Sequence, residues 1–226
     1  MIRLEKFFKG KNMKYVALIV FAVVTTAHLI ASYKKDQTWR NRTKPFILIS
    51  LLAYYLAAAG EVRISIVLAL IFSWIGDVLL MPHGIKWFTA GGISFMIGHA
   101  FFIAGYWPDV DTAKLSTALI AALVLFFLVV VAFIFSMLKR FLPKALFFPM
   151  ALYLFINGMM NCTAILRMLS NPCAATITTC IGAILFFISD SSLFFVRFNK
   201  DGKLKTHVLP MSTYSIGELL IVLGLV

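Results

Sequence analysis

The chain has 226 residues, of which 62% are hydrophobic and 13% are charged, and its formal net charge is +12. Its mean hydropathy is +0.95. Soluble domains typically contain about 45–50% apolar and about 25% charged residues, so this chain has too little polar surface to coat a water-soluble globule of its size. The composition excludes a large soluble domain, a disordered chain and a disulfide scaffold. It predicts a single integral membrane domain across residues 1–226.

Eight apolar segments follow one another along the chain, separated by turn residues or charges. A chain that crosses lipid must satisfy its own backbone hydrogen bonds, which makes helix the expected conformation. The sequence therefore predicts an all-α polytopic bundle of about eight transmembrane helices, preceded by a basic segment at residues 1–14. The eight predicted segments are 15–32, 45–59, 64–81, 88–107, 115–138, 145–169, 174–196 and 208–226.

Basic residues gather at the ends of the apolar segments, where they can meet lipid phosphates. The connections after segments 1, 3, 5 and 7 hold more Lys and Arg than the other connections and the two termini together. We name this surface the basic side and expect it to face the cytosol. The positively charged residues are thus expected to contact the lipid bilayer and not nucleic acid. The expected location is the endoplasmic reticulum or another endomembrane in a eukaryote, and the inner membrane in a bacterium.

The three cysteines, Cys162, Cys173 and Cys180, form no CxxC motif, and two of them lie inside apolar segments. An odd number of cysteines does not imply a closed disulfide framework. The histidines are too few and too scattered for a zinc site, and the sequence contains neither GxSxG nor HExxH. We therefore expect neither a metal nor another cofactor.

Ionisable residues inside the apolar segments are the main candidates for function, because a charge in lipid is costly. Asp77 and Asp190 lie near the ends of segments 3 and 7, about one to two helical turns below the basic side. Segments 4, 6 and 8 bring further polar residues to the same half of the bilayer, namely His99, Tyr153, Asn157 and Glu218. The alternative is a hydrogen-bond network that only holds helices together, which is the role expected for His28, Ser50 and Tyr54.

Two carboxyl groups in a cavity of low dielectric repel each other, so we expect one to stay ionised while the other holds a proton. Such a pair supplies an acid and a base at neutral pH. It suits a reaction with a cationic, oxocarbenium-like transition state. A proton-coupled or small-solute transporter is the main alternative, since transporters also use buried carboxylates and internal repeats. An intramembrane aspartyl protease and a non-catalytic membrane scaffold are further alternatives.

A short pattern recurs in segments that lie four apart along the chain. Segments 3 and 7 each contain an aromatic residue, a small residue, an aspartate and, three residues later, a leucine. Segments 4 and 8 each contain Ile-Gly, before His99 in one and before Glu218 in the other. Segments four apart run parallel, so the pattern predicts two related, parallel four-helix halves. Chance similarity among apolar helices is the alternative.

These same segments resemble the YhhN-type lysoplasmalogenases, a family of eight-span membrane proteins. The resemblance runs from about residue 40 to the C-terminus, and Glu218 stands where the family favours an amide. The matching stretches are 43–45 (TKP), 72–80 (FSWIGDVLL), 92–99 (GISFMIGH), Tyr153 with Met160, 182–191 (GAILFFISDS) and 197–198 (RF).

The resemblance implies hydrolysis of the vinyl ether bond of lysoplasmalogens, with a fatty aldehyde and glycerophosphoethanolamine or glycerophosphocholine as products. The substrate would be a lysophospholipid whose alkenyl chain lies between helices or in lipid. Asp77 and Asp190 would form the acid/base pair, without an assignment of which is the acid. The expected substrate-positioning residues are His99, Tyr153, Asn157, Lys44 and Ser189, with Glu218 and Arg197 as further candidates.

Overall fold

The computed structural model of the protein describes residues 12–199 and 207–226, and all regular structure in these ranges is helical. The predicted all-α fold class is therefore confirmed. Most of the predicted basic segment at residues 1–14 lies outside the described residues, as do Lys200, Lys203 and Lys205 of the last basic connection. The helices in chain order are α1 Met13–Tyr33, α2 Gln37–Ala58, α3 Ile64–Leu79, α4 Ile85–Tyr106, α5 Thr117–Leu138, α6 Phe147–Ser170, α7 Ala174–Phe198 and α8 Val208–Leu223.

Helix α2 departs most from its predicted segment, which began at Pro45. The helix begins two turns earlier because the Asp36 side chain accepts a hydrogen bond from the Trp39 backbone N–H at 3.1 Å and so caps it. Pro45 consequently lies inside the helix. Hydropathy missed these first turns because they are polar, and several of their side chains face a cavity, not lipid.

Within the described residues, five stretches are long and apolar enough to cross a membrane: Met13–Tyr33, Ile85–Asp109, Thr117–Leu138, Lys144–Ser170 and Ala174–Phe198. The protein is therefore a multi-pass membrane protein. Helices α3 and α8 are apolar but have only 16 residues each, which is short for a hydrocarbon core of about 30 Å at 1.5 Å per residue. The count of eight spans thus stays a prediction.

Helices that are neighbours in sequence pack as pairs, α1 with α2, α3 with α4 and α7 with α8. Helix α6 contacts α4, α5 and α7, while α8 also contacts α1 and α2. One continuous cluster of buried apolar side chains runs through this arrangement. Helix α5 buries few residues and exposes Leu125, Phe126, Val129 and Phe133, as expected of a helix at the lipid-facing edge.

The α3–α4 and α7–α8 pairs pack in the same register. A Cβ added to Gly98 of α4 would lie 3.1 Å from the carbonyl oxygen of Ala69, which precedes Asp77 by eight residues. A Cβ added to Gly217 of α8 would lie 2.9 Å from the carbonyl oxygen of Gly182, which precedes Asp190 by eight residues. Glycine allows this close backbone approach in both pairs.

The same correspondence between the two helix pairs holds at a second glycine in each pair, one to two turns further along the helices. Gly105 of α4 approaches the side chain of Ile66, and Gly224, just after α8, approaches that of Thr179. Ile66 and Thr179 each precede their aspartate, Asp77 or Asp190, by eleven residues. The two carboxyl groups therefore occupy corresponding positions in two similarly packed helix pairs. The larger prediction of two parallel four-helix halves stays a prediction.

An ion cluster that the sequence did not indicate closes the end of the bundle opposite the basic side. Asp109 accepts hydrogen bonds from Arg63 at 2.8 and 2.9 Å and from Arg167 Nε at 2.8 Å. Arg167 also donates to Thr179 at 2.9 Å and to the Gly224 carbonyl at 3.4 Å. This cluster ties together the ends of α3, α4, α6, α7 and α8.

We predict that Asp109→Asn lowers the unfolding free energy by about 3 kcal/mol, because it leaves the buried Arg167 guanidinium without its counter-charge. Thermal unfolding of the purified protein in detergent measures the change. Asp111→Asn is the matched control, since Asp111 pairs with Lys114 at 3.3 Å in an exposed position where ion pairs contribute little. Equal losses in the two variants would contradict the role assigned to the cluster.

Candidate functional site

A cavity of about 130 Å³ lies at the basic side, lined by residues of α1, α2, α3, α4, α6, α7 and α8. Both aspartates singled out in the sequence line it. We call it the polar cavity. The polar side chains at its surface include Arg40, Lys44, Asp77, Tyr153, Ser189, Asp190, Arg197, His207 and Tyr214.

Asp77 is held as one member of a buried ion pair. Lys44 Nζ lies 3.0 Å from Asp77 Oδ1, and the Tyr214 hydroxyl donates to Asp77 Oδ2 at 2.8 Å. The Asp77 side chain is 3% exposed. Lys44 reaches it from α2, which Trp74 Nε1 of α3 anchors by donating to the Pro45 carbonyl at 2.9 Å. Each carboxylate oxygen of Asp77 therefore has a partner, and its negative charge has a cation beside it.

Asp190 has a different set of neighbours. The Tyr153 hydroxyl and the Asn157 side-chain amide, at 2.7 Å, both donate to Asp190 Oδ2. Tyr153 and Asn157 lie one turn apart on α6, so both reach the same oxygen. Among the described residues no Lys or Arg pairs with Asp190, and no hydrogen bond engages its Oδ1. One oxygen of Asp190 is therefore fixed by two neutral donors, while the other remains open.

His99 lies next to Asp190 and is packed among aromatic side chains. Its Nε2 is 3.8 Å from Asp190 Oδ2, beyond hydrogen-bond distance. The ring packs edge to face against Tyr153 at 5.4 Å and Phe186 at 4.9 Å between centroids. Neither ring nitrogen has a hydrogen-bond partner among the described residues. His99 thus contacts the residues that position Asp190 without sharing its hydrogen bonds.

The mouth of the polar cavity is positively charged. Burial, together with the charges of Arg40, Lys44 and Arg197, lowers the pKa of His207 to about 4. His207 is therefore neutral near pH 7, and among the described residues that line the cavity the positive charge not paired with Asp77 comes from Arg40 and Arg197. The buried Nε of Arg40 has no partner among the described residues, and the Arg197 guanidinium lies 5.7 Å from the centre of the Phe88 ring. These groups suit an anionic ligand at the mouth.

A comparison with known families matches residues 39–225 to the YhhN family. The chain belongs to the YhhN family. The predicted resemblance is thereby confirmed, including its start near residue 40. No curated protein and no solved structure matches the chain. The matched range contains every residue that lines the polar cavity of this YhhN protein except His28 and Gln37.

Most of the residues predicted from the sequence meet at this site. Besides the two aspartates, Lys44, Tyr153, Ser189 and Arg197 line the polar cavity, while Asn157 and His99 contact or adjoin Asp190 from deeper in the bundle. Lys44 was expected to position substrate, but its ammonium group is engaged by Asp77. The Ser189 hydroxyl donates to the Pro210 carbonyl at 2.7 Å, so it joins α7 to α8.

Glu218 lies apart from the polar cavity of the YhhN protein. It is fully buried, and neither of its carboxyl oxygens has a hydrogen-bond partner among the described residues. Within those residues, no group of three His, Cys, Asp or Glu side chains is arranged to hold a metal ion.

Among the described residues of the site, sequence reasoning missed Tyr214, Arg40 and His207, which the proposed site uses, as well as Gln37, Asn41 and His83. Tyr214 carried a usable signal, because it lies one helical turn before Glu218 on the side of segment 8 nearer the basic surface, at the depth of Asp77. Arg40 and His207 carried none, since each was one of several basic residues in a connection. Only the packing of α2 and α8 shows that they face the cavity.

We predict that Lys44→Met lowers the unfolding free energy by about 3 kcal/mol, because it leaves the Asp77 carboxylate buried without a cation. Adding Asp77→Asn should recover most of this loss, since the double variant removes both charges. Thermal unfolding in detergent measures all four proteins of the cycle. Lys86→Met, at an exposed position, is the control and should change little. A double variant that loses the sum of the two single losses would contradict the ion pair.

Proposed function

We propose that this YhhN protein is a lysoplasmalogenase, a membrane hydrolase that cleaves the vinyl ether bond of a lysoplasmalogen. The products are a fatty aldehyde and a glycerophospho-head group, ethanolamine or choline. The observation that carries the proposal is the polar cavity itself, which presents two carboxyl groups in opposite electrostatic settings at one face of an apolar bundle. The family membership supports the same reaction class.

The chemistry of the bond suits such a pair. A vinyl ether is hydrolysed when a proton adds to the alkene carbon distal to oxygen, which gives an oxocarbenium ion. Water then adds to this cation, and the hemiacetal collapses to an aldehyde and an alcohol. The reaction therefore needs a proton donor placed over carbon, and a negative group that stabilises the cation and orients water.

Asp190 is the proposed acid. A carboxylate in a dry site without a counter-charge takes up a proton in preference to remaining ionised, and no cation pairs with Asp190 among the described residues. Tyr153 and Asn157 fix Oδ2 as an acceptor, which leaves the proton on Oδ1. That oxygen makes no hydrogen bond among the described residues, so its proton is available to substrate.

Asp77 is the proposed ionised partner. Lys44 at 3.0 Å and the Tyr214 hydroxyl at 2.8 Å stabilise its carboxylate. The carboxylate can then stabilise the oxocarbenium ion across the cavity and accept a proton from the attacking water. Since Lys44 is engaged in this pair, Arg40 and Arg197 at the mouth are the better candidates for contact with the substrate phosphate.

We predict that purified wild-type protein in detergent releases aldehyde from lysoplasmalogen. Asp190→Asn and Asp77→Asn should each lower kcat by about 10²–10⁴-fold, because one removes the acid and the other the stabilising charge. Asp111→Asn, an exposed aspartate at the opposite end, is the matched control and should keep full activity. A wild-type protein that releases no aldehyde overturns the proposed function. Full activity in both cavity variants overturns the site.

The product distinguishes proton addition from other routes to an aldehyde. In D₂O the hydrolytic aldehyde should carry one deuterium on the carbon next to the carbonyl, and it should keep every carbon of the alkenyl chain. Oxidative cleavage of the double bond would give a shorter aldehyde. Mass spectrometry of product collected within the first turnovers resolves the two cases.

A further inference from the structure

A second cavity, of about 260 Å³, adjoins the polar cavity between α4 and α6. Its walls are apolar side chains, among them Ile93 and Met96 of α4 and Phe148 and Met150 of α6. We call it the apolar groove. It shares Phe88, Gly92, Tyr153 and Phe194 with the polar cavity. A polar compartment and an apolar compartment therefore meet at one set of side chains.

The apolar groove opens toward the lipid-facing surface of the bundle. Ile93 is 46% exposed and Phe148 is 77% exposed at its rim. Both belong to stretches long and apolar enough to span a membrane. The groove is therefore reached from the bilayer, sideways between two helices, whereas the mouth of the polar cavity is flanked by Arg40 and Arg197.

Two adjacent glycines of α4 lie where the two compartments meet, which we call the junction, and only the first is needed for helix packing. A Cβ added to Gly91 would lie 2.8 Å from Leu80 and 3.2 Å from the Gly76 carbonyl, so Gly91 is required where α4 meets α3. A Cβ added to Gly92 would have no heavy atom within 4 Å. No packing contact needs glycine at position 92, yet the absence of a side chain there keeps the passage between the two compartments clear.

We infer that the apolar groove binds the hydrocarbon chain of a single-chain ether lysophospholipid, which enters from the bilayer between α4 and α6. Such a lipid has a charged head and one apolar chain. The polar cavity suits the head, and the apolar groove suits the chain. The bond between chain and glycerol then lies at the junction, beside Tyr153, whose hydroxyl donates to Asp190. The ether class of the lipid and the identity of the cleaved bond rest on the proposed function, whereas the chain site itself is independent of catalysis.

The binding test uses a lysophospholipid with a saturated alkyl ether chain that carries a diazirine, which photolabels the protein but contains no vinyl ether. Labelling is done on the full chain in lipid nanodiscs, and labelled peptides are mapped by mass spectrometry. We expect label on the groove-lining parts of α4 and α6. Gly92→Leu should reduce it by about tenfold, because it fills the junction. Ala122→Leu, an exposed small-to-large change on α5, is the matched control and should leave the label unchanged.

A kinetic variant tests the same site without blocking the junction. Met96 lines the apolar groove but not the polar cavity, and it lies one turn beyond Gly92. Met96→Trp should raise KM for a long-chain lysoplasmalogen by about tenfold, while KM for a short-chain substrate and kcat for both change little. Thermal unfolding of each variant shows that the fold is kept.

The outcomes separate this inference from the proposed function. Groove labelling that Gly92→Leu abolishes, in a protein that releases no aldehyde, supports the chain site and overturns the hydrolase. Aldehyde release with label spread evenly over lipid-facing helices overturns the chain site and leaves the hydrolase standing. Equal labelling by a two-chain phospholipid probe, or label in the groove that Gly92→Leu does not reduce, also overturns it. Each of these last results would mean that the groove holds bulk lipid.

Discussion

A charge inside an apolar bundle needs a partner, and Lys44 supplies it for Asp77 at 3.0 Å. This ion pair determines how α2 and α3 pack at the basic side of the protein. It requires α2 to bring its polar first turns against α3, where Trp74 holds the Pro45 carbonyl. Those turns then line a cavity, with Arg40 at its mouth. The pair thus joins α2 to α3 where α2 forms one wall of the cavity.

Packing makes the two aspartates alike, and their neighbours make them different. The α3–α4 and α7–α8 pairs share one glycine register, so Asp77 and Asp190 occupy corresponding positions. Asp77 pairs with a lysine, whereas Asp190 accepts hydrogen bonds from Tyr153 and Asn157. Equivalent carboxyl groups would compete for one proton; we propose that the unequal neighbours leave the charge on Asp77 and the proton on Asp190. The apolar groove meets the cavity at Tyr153, next to the group that we assign as the acid.

The sequence alone could predict the helices and the residues that converge, because long apolar runs and the cost of buried charge are both visible in it. Seven of the eight segments begin within three residues of the observed helices. It could not predict which polar groups touch, because the rotation of each helix about its axis is hidden when nearly every face is apolar. For this reason the Lys44–Asp77 pair, the role of Tyr214 and the Arg63–Asp109–Arg167 cluster appeared only in the structure.

The proposed mechanism depends on Asp190 carrying a proton at neutral pH while Asp77 does not. Infrared spectroscopy of the carboxyl C=O stretch tests it directly, in a Glu218→Gln background because the buried Glu218 lacks partners among the described residues and would add its own band. We expect a protonated-carboxyl band at pH 7 that disappears in Asp190→Asn and persists in Asp77→Asn. A band that persists in Asp190→Asn and disappears in Asp77→Asn would contradict it.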